Sequence, residues 1–223
     1  MTIAAARLRT PLVAGLLLSA AAAATAGADV IQASHTPAHL KNVNVSAPAL
    51  FDAPFAIVPT ATFQWTNHSP GADLPAFFDS FCIEAGVPVP EGVIHDFTLL
   101  TPAAAGLSQH QQESLARLWH GYRASANTID TSAAFQLAVW EIVHDDGLDL
   151  TSGAFVVNSW GDPRDTAQSW LAAIAADTPP APTLEFIVLH SPTVQDQILV
   201  VPTPASALLL TAATALHARR RRR

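Results

Sequence analysis

Seven prolines between residues 48 and 90 constrain the fold of this chain more than any other feature. Proline lacks a backbone donor and breaks the interior of a helix, so this half of the chain favours short strands and turns. A turn is expected between Gly86 and Gly92. Four segments are predicted as strands: 56–58, 61–65, 80–85 and 94–100.

The middle of the chain changes to a helical period. From Leu107 onward, apolar residues are spaced as on one face of a helix, and Ser108 is available as its N-cap. A second helix is predicted to run to about His144, with Asp130 or Ser132 as its N-cap.

Strand character returns near the end of the body, after a third predicted helix. That helix spans residues 163–176, and Pro163 suits its first turn. Segments 184–190 and 197–201 are predicted as strands. Strands, then helices, then strands indicate an α+β fold, which we expect to be an antiparallel β-sandwich or barrel-like sheet with a central helical insertion.

The N-terminus has the pattern of a secretory signal peptide over residues 1–28. Arg7 and Arg9 precede the apolar run of residues 12–24, and Ala26-Gly27-Ala28 is a small-residue cleavage site. We therefore expect cleavage after Ala28; a retained membrane anchor is the alternative.

The C-terminal segment, residues 201–223, combines prolines, a short apolar stretch and a basic cluster. Residues 205–218 are mostly apolar, but they are fewer than the roughly 20 residues that a transmembrane helix needs. The arginines would stay on the cytoplasmic side while the helix makes a transient contact with the inner membrane. A basic tail that binds nucleic acid or an acidic surface is the alternative. The sequence ends in Arg219, Arg220, Arg221, Arg222 and Arg223.

Pro202-Thr203-Pro204, the short apolar stretch and the arginine cluster together resemble the PEP-CTERM sorting signal of Gram-negative bacteria. Thr203 stands where that family has glutamate. The resemblance implies an exosortase-type sorting peptidase as a partner. It also implies release or re-anchoring of the exported protein at the cell surface or in the extracellular matrix.

The body between the two ends, residues 29–200, is strongly acidic. It has eighteen acidic residues against four basic ones, a formal charge of −14. Such a charge repels the phosphates of nucleic acid and anionic lipid, so the sequence excludes nucleic-acid binding. The length suits a single domain with its own core.

Cys82 is the only cysteine of the chain. Exported cysteines usually form disulfides, but Cys82 has no partner within its own sequence. A buried apolar filler, a link to another molecule and a reactive thiol are the alternatives.

The second helix carries a glutamine on an apolar face. Gln136, Val139, Trp140 and Val143 follow i, i+3, i+4 and i+7 spacing. A buried amide without partners costs roughly 1–3 kcal/mol, so Gln136 needs them. A structural role, with the amide bound to a nearby loop or strand, is one interpretation.

The segment Phe81-Cys82-Ile83-Glu84 and the helix Phe135–Ile142 resemble the thioester domains of bacterial surface proteins. The resemblance implies that Cys82 is the thiol and Gln136 the acyl donor of an internal thioester. Ala138 and Trp140 match the helix motif, whereas Phe135 replaces its usual threonine.

Such a thioester would attach the protein covalently to a surface amine or a polysaccharide hydroxyl. Each chain would react once, so no enzymatic turnover is expected. Glu84, two residues beyond Cys82, is predicted to lie on the same strand face and to assist proton transfer, although a solvated carboxylate is the alternative.

No cofactor or metal site is predicted. The histidines lack metal-ligand spacing. Asp145–Asp149 could contact calcium, but a polar turn that ends the Gln136 helix is the favoured interpretation. The leading hypothesis is therefore covalent attachment through Cys82 and Gln136, and the alternative is a non-covalent structural matrix protein with a buried free cysteine.

Overall fold

The computed structural model describes residues 29–70, 74–145, 147–176 and 180–201. The predicted signal peptide and the sorting motif with its arginine cluster lie outside these residues. The strands are β1 (Val30–Ser46), β2 (Ala56–Asn67), β3 (Phe77–Cys82), β4 (His95–Leu100), β5 (Val156–Val157), β6 (Phe186–His190) and β7 (Gln197–Val200). The α-helices are α1 (Gln109–Tyr122), α2 (Ile129–His144) and α3 (Asp162–Ala176).

Six of these strands close into an antiparallel barrel. Their order is β1-β2-β3-β7-β6-β4, and β4 pairs with β1 again to complete the ring. The short β5 pairs with the end of β1 outside this ring. The α+β class and the barrel alternative are thus confirmed, with all three helices between β4 and β6.

The first two strands are longer than the prolines suggested. β1 spans 17 residues, where no strand was predicted, and β2 continues through Pro59 for 12 residues. The two strands pair along most of their length, with an irregularity between Ala38 and Lys41. The prediction of short strands is therefore wrong here, because pairing with neighbours on both sides outweighs local propensity.

The first helix begins as predicted, and the second does not. The Ser108 hydroxyl accepts a hydrogen bond from the Gln111 backbone N–H, which confirms Ser108 as the N-cap of α1. Thr128 caps α2 instead of Asp130 or Ser132, and it does so in a capping box with Thr131. Both caps satisfy backbone donors that a helix start leaves unpaired.

Helix α2 lies at the centre of the molecule. It packs against α1, α3 and strands β1, β2 and β3. Every residue from Ser132 to Ile142 is buried, so this helix is surrounded on all sides, as its nearly continuous apolar sequence requires. Among the described residues, no helix has the length and apolar character to cross a membrane.

Candidate functional site

The end of β3 and the middle of α2 bring Cys82 and Gln136 into direct contact. The Cys82 backbone N–H donates to Gln136 Oε1 at 2.9 Å. In return, Gln136 Nε2 donates to the Cys82 carbonyl oxygen at 2.7 Å. Both residues have 0% exposed surface. The side-chain amide therefore meets the backbone of the residue that carries the thiol, in the buried interior.

The sulfur of Cys82 contacts the backbone of Glu84. Sγ lies 3.0 Å from the Glu84 carbonyl oxygen and 3.2 Å from the Glu84 backbone nitrogen. Strand β3 ends at Cys82, so the prediction that Glu84 shares a strand face with the thiol is wrong. The Glu84 carboxylate instead accepts a hydrogen bond from the Asp196 backbone N–H at 2.8 Å. Its role in proton transfer stays a prediction.

The thiol lies in an environment that keeps it protonated. Burial raises the pKa of Cys82 well above its usual range, and the negative charges of Glu84 and Asp196 raise it further. The Trp140 side chain and the Glu84 backbone act in the opposite direction and lower this pKa. Cys82 is therefore a neutral, shielded thiol at neutral pH, and Trp140 is the side chain that favours its charged form.

Three polar side chains of α2 point to the segment around Cys82. Gln136, Trp140 and His144 follow i, i+4 and i+8 spacing, so they lie above one another on one helix face. His144 interacts with the Ile83 backbone. Burial lowers the pKa of His144, which is therefore neutral near pH 7. The spacing of His144 from Gln136, eight residues along the helix, is the sequence signal for this placement. Ala138 is fully buried in the same helix.

Two of the polar groups in this region have no hydrogen-bond partner among the described residues. They are Trp140 Nε1, which acts on the thiol without a hydrogen bond of normal geometry, and His144 Nε2. Unpaired buried polar atoms are uncommon in proteins, and each one requires a physical explanation.

Gln195, which the sequence analysis missed, joins β7 to the loop after Cys82. Its Nε2 donates to the carbonyl oxygens of Glu84 and Val87, at 3.3 and 2.7 Å. It lies two residues before Gln197, whose backbone pairs with Cys82 across β3 and β7. A short polar segment without periodicity gives no sequence signal for such a contact. The hydrogen bonds of Gln195 order the loop that follows Cys82.

A cavity of about 430 Å³ adjoins this region. Trp140 lines it, together with Ala85, Val87 and Gln195 from the elements just described. His35 of β1 forms another part of the cavity wall, and only 3% of its surface is exposed. Its Nε2 lies 3.2 Å from the Val89 carbonyl oxygen. The cavity thus extends from the Trp140 side chain towards solvent.

The acidic segment after α2 is a hydrogen-bonded turn. The Asp145 carboxylate accepts from the backbone N–H groups of Gly147, Ala154 and Phe155. Asp149 accepts from the backbone and hydroxyl of Thr151 and from the Ser152 hydroxyl, bonds that lower its pKa. This agrees with the polar-turn interpretation. The described residues contain no group of three or more His, Cys, Asp or Glu side chains arranged to hold a metal ion.

Glu141 is a second buried ionisable group of α2. Its Oε1 accepts from the Asp149 backbone N–H at 2.7 Å, whereas Oε2 has no partner among the described residues. Burial raises the pKa of Glu141 to about 7. Glu141 therefore changes charge near neutral pH, on the part of α2 that precedes the polar turn.

Comparisons with protein-family models, with curated proteins and with solved structures found no match for this chain.

Proposed function

We propose that this chain is an exported surface or matrix protein that attaches covalently to its target through a thioester between Cys82 and Gln136. The observation that carries the proposal is the reciprocal hydrogen bonding of the Gln136 amide with the Cys82 backbone, inside a fully buried site. The amide carbon is bonded to both of the contacting atoms, so it lies beside the residue that carries the nucleophile. This contact holds the residues that carry the two reacting groups side by side, which lowers the entropic cost of bringing those groups together.

In thioester formation, Cys82 Sγ attacks the amide carbon of Gln136. The C–S bond forms, the C–N bond breaks, and the thiol proton leaves with the amide nitrogen as ammonia. The Cys82 N–H already donates to Gln136 Oε1, where negative charge develops during the attack. The Trp140 side chain, which lowers the thiol pKa, favours the nucleophilic thiolate.

In the attachment step, an amine or hydroxyl of the target would take the acyl group of Gln136 and release Cys82 as a thiol. Each chain can do this once, so the protein is proposed as a single-use adhesive and not as an enzyme. Export through the signal peptide and sorting by an exosortase-type peptidase would place it at the cell surface or in the matrix of a Gram-negative bacterium.

A non-covalent structural role is the second candidate, and a specific observation favours it. The same two hydrogen bonds satisfy the Gln136 amide and the Cys82 backbone without any covalent bond. The raised pKa of Cys82 also makes its thiol less reactive. In this alternative, Cys82 is a core residue and Gln136 fastens α2 to β3.

The intact mass of full-length protein prepared without amines or reductant distinguishes the two candidates. A mass lower by one ammonia, no titratable thiol and a mass gain with methylamine are the results expected for the thioester. An unmodified mass, with one thiol that titrates only after unfolding, would contradict the proposal and leave the structural role.

A further inference from the structure

The buried position of Cys82 and Gln136 raises the question of how a target reaches them. Neither residue has exposed surface, so attachment requires a route through the surrounding walls. The cavity of about 430 Å³ borders Trp140, which also acts on the sulfur. Ala85 and Val87, which follow the Cys82–Glu84 segment, line the same cavity. The cavity and the thiol are therefore separated by one side chain and a short loop.

We propose that this cavity, between strands β1 and β2 and the loop of residues 85–91, is the route by which the target reaches the thioester, and that it selects a primary amine on an unbranched aliphatic stem. The inference rests on the proposed function. Such a group is carried by a lysine side chain or an aliphatic diamine.

The walls of the cavity favour an aliphatic stem over a sugar. Most are apolar, including Phe51, Ile57, Val58 and Phe63. Among the few polar groups, Gln195 already uses its side-chain nitrogen and oxygen in hydrogen bonds to Glu84, Val87 and Gln197. Two ring nitrogens of the lining residues lack a partner among the described residues, His35 Nδ1 and Trp140 Nε1. They are too few for the several hydroxyls of a sugar or polyol, so most of those hydroxyls would be buried without hydrogen bonds.

Charge favours an amine in two successive stages. Glu91 is exposed and lines the cavity, and the body carries a formal charge of −14, so a cationic ammonium group is attracted to this face. Inside the apolar cavity, desolvation disfavours the charged form of the amine. The amine thus arrives as a cation and loses its proton to solvent before it reacts.

The reaction itself balances without any further reactant. The amine nitrogen attacks the acyl carbon of Gln136, the C–N bond forms and the C–S bond breaks. Sulfur leaves with the bonding electrons and takes the proton that the attacking nitrogen gives up. The product is a substituted amide on Gln136 and a free Cys82 thiol, which burial keeps protonated.

The test compares two primary amines with different stems, n-butylamine and 1-amino-1-deoxysorbitol, on full-length protein whose mass is first measured. Because the two amines differ in basicity, each rate is expressed per concentration of unprotonated amine. Each amine is also added to two variants. Ile57→Trp narrows the mouth of the cavity, at a residue that is 69% exposed. Ile94→Trp is the matched control, at a residue that is 53% exposed and does not line the cavity. We expect n-butylamine to be captured about tenfold faster than the polyol amine. Ile57→Trp should slow the capture of n-butylamine about tenfold, and Ile94→Trp should leave the rate of that capture unchanged.

The mass before amine is added separates the two ways of failing. A parent mass without loss of ammonia would overturn the proposed function and the route together. A parent that has lost ammonia but captures both amines equally fast, or an Ile57→Trp variant that has lost ammonia and reacts at the parental rate, would overturn the route alone.

Discussion

Gln136 holds Cys82 by both polar groups of its backbone: the amide oxygen accepts from the Cys82 N–H, and the amide nitrogen donates to the Cys82 carbonyl. One side chain on a helix thus satisfies two backbone groups at the end of β3, where the pairing with β2 has already stopped at Ser80. The contact fastens α2 to the end of β3 and also brings the Gln136 amide beside the residue that carries the thiol. The structural role and the proposed chemical role therefore involve the same two residues, and substitutions can separate them.

Gln136→Ala should destabilise the fold more than Cys82→Ala. Loss of the amide leaves the Cys82 N–H and carbonyl unpaired in the core, at a cost of about 2–4 kcal/mol, whereas loss of the sulfur costs about 1 kcal/mol. Both variants lack any thioester, so the difference reports the two hydrogen bonds together with the larger cavity that loss of the glutamine side chain leaves. Denaturant unfolding measures it. Gln109→Ala, at an exposed glutamine, is the control and should change stability by less than about 0.5 kcal/mol. Equal effects at positions 82 and 136 would contradict this account.

Cys82→Ala and Gln136→Ala should each abolish amine capture completely. The first removes the nucleophile and the second removes the acyl group, so neither retains partial function. The measurement is the mass gain after incubation with methylamine, with circular dichroism to show that each variant is folded. Capture by either folded variant would exclude a bond between these two residues.

Trp140→Phe should slow thioester formation while it preserves most of the packing against Phe155. The indole lowers the thiol pKa, and phenylalanine cannot do so, which leaves less thiolate. We expect about a tenfold lower rate of ammonia loss, followed by mass after synthesis. Trp170→Phe, in a tryptophan that stacks on Tyr122 away from the thiol, is the matched control. A similar loss of rate in both variants would assign the effect to packing.

Glu141 should make the stability of the protein depend on pH. Its pKa is raised from 4.5 to about 7, so the folded state holds this proton more tightly than the unfolded chain does. Its stabilising contribution is complete below pH 4.5 and is lost as the pH rises through about 7. Glu141→Gln stays neutral, so relative to the parent it should gain on the order of 3 kcal/mol between pH 4.5 and 8.

Denaturant unfolding at several pH values measures the contribution of Glu141. Glu91→Gln, at an exposed carboxylate, is the control and should follow the parent. Parallel stability profiles for Glu141→Gln and the parent would show that Glu141 titrates alike in the folded and unfolded states.

Strands β6 and β7 and the three helices were predictable because their signals are local, whereas the two-residue strand β5 was not predicted. Ser108 caps α1 through its own sequence neighbours, and strand β6 lies within the predicted segment. The 17-residue strand β1 was not predictable in this way. Polar residues such as His35, Lys41 and Asn42 obscure the alternation of apolar and polar residues that would indicate a strand. Its backbone becomes a strand because β2 and β4 pair with it, and these contacts are distant in sequence.

The candidate site was predictable in its residue types but not in its contacts. A lone exported cysteine and a glutamine on a buried helix face identify two unusual residues. That the Gln136 amide meets the Cys82 backbone, and that Glu84 reaches the sulfur by its own backbone, depends on where β3 ends. Thr128 was missed as the α2 cap because its capping box is completed by threonine instead of the usual glutamate or glutamine.

The pairing of Cys82 with Gln197 has a mechanical consequence. A pull applied to the chain after Val200 and resisted at Gln136 would pass along β7, across to β3 and into α2. Strand β7 lies antiparallel between β3 and β6, so a force along its length loads its ladder bonds together instead of opening them one at a time. The barrel would thus bear tension in shear, the direction in which paired strands resist separation best.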